Sequence, residues 1–314
     1  MADAILLDAV KAFILRRLVL LIPLLFGISL IVFSLMHFIP GDPVDIILGE
    51  TAQIADRQFL RKSLHLDEKI HVQYVLFLKD LATGNLRSIH SRENIWKEIF
   101  HRFPATAELA FWAMLFAVLT AIPLGILAAL KHQSVVDALS MFVSILGLSI
   151  PHFWLGPMLI ILFAYTFPIF PVSERTDLLS VVLPALTLGT AMMAILSRIT
   201  RAGMLEVIRE DYITTARAKG VPESAVIFKH ALRNSLIPLI TIVGIQTGAL
   251  LSGAIITETI FDWPGIGTLL VNAIHSRNYP LVQGCVLLIA ACYIMINLAT
   301  DVLYAWIDPR IRLQ

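Results

Sequence analysis

Apolar residues fall in six runs along this chain, at 18–38, 107–130, 138–167, 178–199, 236–256 and 281–307. A helix that crosses a bilayer needs about 20 mostly apolar residues, and each run meets that length. The third and sixth are longer than a span requires, which implies tilt or run boundaries that are off by several residues. Pro151 interrupts the third and is placed to kink it, a fault that packed neighbours tolerate by satisfying the freed carbonyl. Between the first two runs, residues 50–66 and 72–81 mix apolar and charged positions at the spacing of surface helices. Pro40-Gly41-Asp42-Pro43 opens that region with turn signals. The pattern predicts an all-α integral membrane protein with six transmembrane helices. It forms a single membrane-spanning domain over 1–314, with a loop at 40–103 on one side and a polar segment at 200–235 on the other. No internal repeat or second soluble domain is visible.

Residues 201–233 are too polar to span, yet they sit between apolar runs. Glu210 and Asp211 place acids at a helix start, where they complement the macrodipole. Arg217 and Lys219 fall near its end, just before Gly220, a C-terminal stop. Ile208, Tyr212, Thr215 and Lys219 recur at helical spacing and would share a face. A second helix is expected after Val221-Pro222, running through His230 and Arg233. Such a segment is either a solvated connector or a surface that touches a soluble partner.

Composition agrees with membrane residence: 58% of residues are hydrophobic and only 15% charged, fewer charges than soluble domains carry. The formal net charge of +1 gives no sign of nucleic-acid binding. Basic residues are distributed unevenly. Lys11, Arg16, Arg17 and Lys131 flank runs on one side, with Arg198, Arg201, Arg209, Arg217, Lys219, Lys229 and Arg233 between runs four and five. Arg310 and Arg312 close the chain on that same side, whereas the short loops opposite hold only Arg175 and Arg277. The positive-inside rule therefore predicts both termini in the cytoplasm and the 40–103 loop outside it. Arg16-Arg17 ahead of the first run resembles a signal peptide, but the run is too long and lacks a small-residue cleavage site. It is expected to be a retained helix. Cys285 and Cys292 lie seven residues apart, about 10 Å along a helix, beyond disulfide reach.

Polar residues inside the apolar runs are few. Gly244, Gly248 and Ser252 repeat at four-residue spacing, which suits close helix packing in lipid. The alternative is a translocation pathway lined by Gln246, Thr247 and Ser252. Glu258 ends the fifth run, either as a pathway acid or as a hydrated interfacial carboxylate. His37 and His152 have no His or acid at i+3 or i+4, so neither forms a helical metal pair, and no metal site is expected. Catalytic residues are not expected either. Gly147-Leu148-Ser149 is a lone G-x-S with His152 only three residues on, a weak case for an intramembrane serine protease. A passive channel is the other rival, and it would need no ATP-binding partner.

Ordered short motifs point to a family. Glu210-Asp211-Tyr212-Ile213 precedes Thr215-Ala216-Arg217-Ala218-Lys219-Gly220, then His230-Ala231-Leu232-Arg233-Asn234 and Ile237-Pro238. Before them stand His37-Phe38-Ile39-Pro40-Gly41-Asp42-Pro43, Pro104-Ala105-Thr106 with Glu108-Leu109, and Leu183-Pro184-Ala185 with Leu188-Gly189. After them come Glu258, Phe261, Trp263-Pro264-Gly265, Gly267, Tyr279-Pro280 and Asp308-Pro309-Arg310. This series resembles the B-type permease subunit of the dipeptide and oligopeptide ABC importers, a family whose relatives also carry nickel or glutathione. Thr214 stands where the general importer signature has Glu, and the interval from Gly220 to Pro238 is longer than in that signature, both usual in the peptide branch. His65 and Asn85-Leu86-Arg87 depart from the branch in the outer loop.

The resemblance implies the type I importer permease architecture, in a bacterial or archaeal inner membrane. It implies that Glu210, Asp211, Tyr212, Thr215, Ala216, Arg217, Ala218, Lys219 and Gly220 form a coupling helix against an ATP-binding subunit. Trp263, Pro264 and Gly265 would belong to a loop facing an extracytoplasmic substrate-binding protein. A second homologous permease, most simply as a heterodimer, and two ATP-binding subunits would complete the machine. No G-x-x-x-x-G-K-[ST] pattern occurs in the chain. ATP and Mg would then be used by the partners, with no cofactor bound by this chain.

Overall fold

The computed structural model describes residues 2–38, 44, 48–49, 53–63, 66–172 and 175–307. Among the described residues stand eleven α-helices of a full turn or more, in chain order α1 (Ala2–Phe38), α2 (Ile54–Ser63), α3 (Ile70–Thr83), α4 (Ile95–Leu130), α5 (Val135–Ser149), α6 (His152–Ile160), α7 (Val182–Val207), α8 (Asp211–Ala218), α9 (Leu232–Ile260), α10 (Ile266–His275) and α11 (Tyr279–Ile307). A π-turn at Ile161–Thr166 extends α6, and Glu223–Ala225 with a π-turn at Val226–Ala231 leads into α9. Among the described residues the fold is all-α, with one isolated bridge between Arg87 and Asn94. Among the described residues, four helices are long and apolar enough to cross a membrane, or up to six if each of two bent pairs is one span. The Pro40-Gly41-Asp42-Pro43 turn, His65 and the Asp308-Pro309-Arg310 motif lie outside the described residues.

The core forms where small side chains let helices approach. Ala105, Ala110, Ala113, Ala117 and Ala121 of α4 are at most 5% exposed and pack with Leu188, Met192 and Leu196 of α7. A Cβ on Gly189 would lie 2.7 Å from the Ala113 carbonyl oxygen, and one on Gly125 would lie 2.7 Å from that of Ser197. In lipid, where apolar side chains gain little by leaving the solvent, such close backbone contact is what drives association. Helix α9 packs on α11 and α7, α5 on α7, and α1 on α11. The glycine spacing in the fifth run has the same purpose. A Cβ on Gly244 would overlap Thr300, and one on Gly248 would lie 2.8 Å from the Tyr293 ring.

Three boundaries differ from the sequence expectation. The second apolar run belongs to α4, which starts twelve residues earlier, at Ile95, capped by the Asn94 side chain that accepts from the Trp96 amide. The third run is divided into two helices bent by 102° rather than kinked. The reason lies at the junction: Ile150 precedes a proline and takes extended backbone, as steric conflict with a proline ring requires. Pro151, at φ −65 and ψ 142, then becomes the N-cap of α6. The second helix expected through His230 and Arg233 runs on into α9, with a 56° bend just before Pro238, whose ring removes a backbone donor. Helix α10 has no counterpart among the six runs, because its ten residues are too short for a span.

Candidate functional site

Helix α8 projects from one end of the bundle between α7 and the lead-in to α9. It begins after Glu210, whose extended backbone (φ −71, ψ 146) marks the N-cap, and Asp211 supplies an acid in the first turn. Its end is set by Gly220 at φ +76, a conformation open to glycine without the steric cost of a Cβ. The Gly220 amide donates to the Arg217 carbonyl and the Val221 amide to the Ala216 carbonyl, the paired hydrogen bonds of a Schellman stop. An eight-residue helix has no independent stability in water, so tertiary contacts must hold it. Ile213 does this. It is fully buried in a cluster with Ile126, Ala129, Met204, Val226 and Ala231, against which Ala216 and Val221 also pack.

The rest of α8 is open. Glu210, Asp211, Tyr212, Thr215, Arg217, Ala218, Lys219 and Gly220 are all exposed, and Ala216 is half-buried. The expected common face of Ile208, Tyr212, Thr215 and Lys219 is corrected: Ile208 caps the end of α7, so it lies on a different helix. Ile213, the residue that fastens α8, was missed, although it is the apolar position central to this otherwise polar stretch. Arg217 reaches across the turn to Glu223 through two hydrogen bonds, of 3.1 and 2.7 Å. The carboxylate beside it holds the Arg217 guanidinium above its ordinary pKa. Asn234 Nδ2 donates to the Tyr212 hydroxyl at 2.6 Å, tying α8 to the start of α9.

A second polar knot stands nearby. Arg201 on α7 donates from Nε to Asp137 Oδ1 (2.7 Å) and from NH2 to Oδ2 (2.8 Å). The Gln133 amide donates to the same Oδ2 and His132 Nδ1 lies 3.2 Å from it. This knot secures the turn between α4 and α5 to α7. Deeper along the same pair of helices, the Ser144 and Ser197 hydroxyls meet at 2.6 Å.

At the end of the bundle away from α8, residues of α4 and of the turn into α10 converge on Glu258. Its side chain is fully buried at the end of α9. Thr106 Oγ1 donates to Glu258 Oε1 at 2.6 Å and accepts from the Ile266 amide at 2.8 Å. The Thr268 amide donates to Oε2 at 3.0 Å. The carboxylate therefore caps the N-terminus of α10 from another helix, a favourable place for negative charge. Gly265 and Gly267 are glycines for a steric reason: a Cβ on Gly265 would overlap the Glu258 carboxylate, and one on Gly267 would lie 2.6 Å from the Ile255 Cα. Trp263 is 1% exposed and its indole N–H donates to the Ala105 carbonyl at 2.8 Å.

This arrangement bears on two expectations. The Glu258 side chain is closed off from solvent, its carboxylate met by the Thr106 hydroxyl and the Thr268 amide. Trp263 and Gly265 are buried and Pro264 is half-buried, so the exposed residue of this turn is Asp262. Of the expected pathway residues, Gln246 and Thr247 are half-buried on α9, with the Thr247 hydroxyl donating to the Val243 carbonyl. The Ser252 and His37 side chains lie outside the described ones. His152 Nδ1 sits 2.9 Å from the Thr187 carbonyl oxygen, a packed position. Among the described residues, no three of His, Cys, Asp and Glu gather as a metal site would require.

A bundle of apolar helices with a short, exposed, anchored helix at one end has the form of a membrane component that engages something in solution. The binding-protein-dependent transport system inner membrane component family matches residues 121–313, and its N-terminal companion matches residues 10–110. The chain is 45% identical to the di/tripeptide transport system permease protein DppB of Pseudomonas aeruginosa (strain UCBPP-PA14), over 96% of this chain and 99% of that one. It is 43% identical to the dipeptide transport system permease protein DppB of Escherichia coli (strain K12), over 96% and 98%. The glutathione transport system permease protein GsiC of Escherichia coli O6:H1 is 41% identical over the same shares. A crystal structure of an amino acid ABC transporter with histidines superposes with a TM-score of 0.50 at 13% identity, covering 68% of this chain and 94% of that one. The chain belongs to the binding-protein-dependent transport system inner membrane component family. It is thus a multi-pass membrane permease of the ABC importer class.

Proposed function

We propose that this chain is one permease subunit of a peptide importer, with α8 as the part that receives work from an ATP-binding subunit. The observation that carries this reading is the contrast within α8: a buried Ile213 fixes it, while Asp211, Tyr212, Thr215, Arg217 and Lys219 are left exposed. A helix seated in this way transmits displacement to α4, α7 and the π-turn that leads into α9, whose side chains form its seat. In this reading the chain crosses the membrane six times, each bent pair counting as one span, with both termini and α8 cytoplasmic by the positive-inside rule. Two ATP-binding subunits hydrolyse ATP with Mg, and this chain binds neither. A second homologous permease completes the pore. A substrate-binding protein delivers cargo to the opposite face, where the α10 turn stands, in a bacterial or archaeal inner membrane. Coupling is a population shift, so each partner must favour one state of the bundle over the other.

The cargo is a di- or oligopeptide, an assignment supported by the names of the dipeptide permeases at 43 to 45% identity. Glutathione, itself a tripeptide thiol, is the second reading, supported by the permease at 41%. The test is uptake into vesicles that carry the assembled transporter, with ATP inside and either labelled dipeptide or labelled glutathione outside. ATP-dependent accumulation of dipeptide supports the assignment. Accumulation of glutathione alone supports the second reading, and ATP-independent equilibration of either would refute an importer.

A further inference from the structure

An open cleft of about 350 Å³ lies between α1, α3, the start of α4 and α11. We propose that it is a binding site for one acyl chain of a membrane phospholipid. Its wall is formed by Phe26 of α1, Leu78 and Leu81 of α3, Trp96 of α4, and Leu288 and Ala291 of α11. Phe26 falls within the apolar stretch Leu15–Ser34, and Leu288 and Ala291 within Tyr279–Leu303, so the cleft stands at bilayer depth.

The chemistry of the wall selects the occupant. Ser29 supplies a hydroxyl, but its Oγ donates to the Phe26 carbonyl at 2.7 Å and meets the Tyr74 hydroxyl at 2.9 Å. A peptide placed here would bury amides with nothing to pair them, and a water needs two or more polar partners. A hydrocarbon chain needs none. The cleft also continues the bilayer-facing surface. Phe26 lines it while remaining 51% exposed, beside Ile22, Leu30 and Ile31 on the same helix at 44 to 69%. The volume is at the low end of small-molecule sites, suited to a single chain.

Helix α3 closes the cleft from the loop side. Tyr74 packs against Phe26 and Phe33 of α1 with ring centroids 5.7 and 5.2 Å apart, and Phe77 joins Phe33 at 5.7 Å. Lys79 on α3 remains exposed. A helix with its apolar side on a spanning helix and a cation in water lies where an interfacial helix would. Trp96, at the mouth next to exposed Glu93 and Lys97, is a residue type enriched at that depth.

Trp96 is also the reporter for the test. The full chain is reconstituted in phosphatidylcholine vesicles with or without bromine on the acyl chains, and the Trp96 share of emission is taken as wild type minus W96F. Lipid in the cleft quenches most of that share. Filling the cleft with A291F, or independently with L78F, restores most of it, while L20F on the open face of α1 changes nothing. Equal quenching in filled and unfilled proteins would overturn the proposal, since Trp96 would then report only surrounding lipid. Absence of quenching in the wild type would also overturn it, as expected if a second permease covers the cleft.

Discussion

Replacing Ile213 by alanine tests the proposal that α8 is a transmitter. The side chain is fully buried among Ile126, Ala129, Met204, Val226 and Ala231, and truncation at such a site costs about 2–5 kcal/mol. That cost falls on an eight-residue helix that cannot persist alone, so it is expressed as detachment of α8 rather than as unfolding of the bundle. A detachment of about 2 kcal/mol changes the seated-to-loose ratio roughly 30-fold. Apparent affinity for the ATP-binding subunit weakens by the fraction of seated helix lost. Hydrogen exchange at the amides of 211–220 should accelerate while exchange in α4 and α7 is unchanged, and subunit affinity measured by pull-down titration should fall, several-fold where the seated form of the wild type outweighs the loose one by no more than about tenfold. The exposed variant K219E should weaken affinity without accelerating exchange, because Lys219 is outside the seat. Normal affinity in I213A alongside rapid exchange would refute the reasoning: the seat of α8 would then be irrelevant to the contact.

Three further perturbations test the other contacts. T106V leaves the Ile266 amide and one Glu258 oxygen unpaired, each costing about 1–3 kcal/mol, whereas T106S keeps both bonds; thermal unfolding in detergent should show a clear loss for the first and little for the second. G265A forces a Cβ into the Glu258 carboxylate, so its melting temperature should fall as well, and E258A should relieve part of that loss in the double variant. D137N weakens the bidentate hold of Arg201, a charge-assisted bond worth about 1.5–3 kcal/mol; trypsin should then cut faster after Lys131, with no change at α8.

Much of this architecture is written in the chain, and the misses have physical causes. Helix α8 was legible from Asp211 to Ala218 because its start and stop are local signals, an acid pair and a glycine in a left-handed conformation. The small-residue spacing at Gly244 and Gly248 likewise gave the packing face of α9 against α11. The seat of Ile213 was not legible, because it is made by residues up to 87 positions away, at Ile126. The surroundings of Glu258 were hidden for a related reason. An acid near membrane depth reads as functional or hydrated until Thr106 and the α10 amides, supplied by other segments, are seen to satisfy it. Trp263 was placed in an outward-facing loop by the resemblance alone, and its burial rests on a distant partner, the Ala105 carbonyl. The 102° bend at Ile150–Pro151 was half legible: proline announces a break, while its size is set by how α5 and α6 pack on α7.

The most direct test of the central claim is a mild-detergent purification of the tagged chain from its native host, with mass spectrometry of everything that co-purifies. The account expects a homologous permease together with ATP-binding subunits, the latter lost in I213A and K219E. A homo-oligomer free of any ATP-binding subunit would contradict it, and would leave α8 an exposed connector in a passive channel.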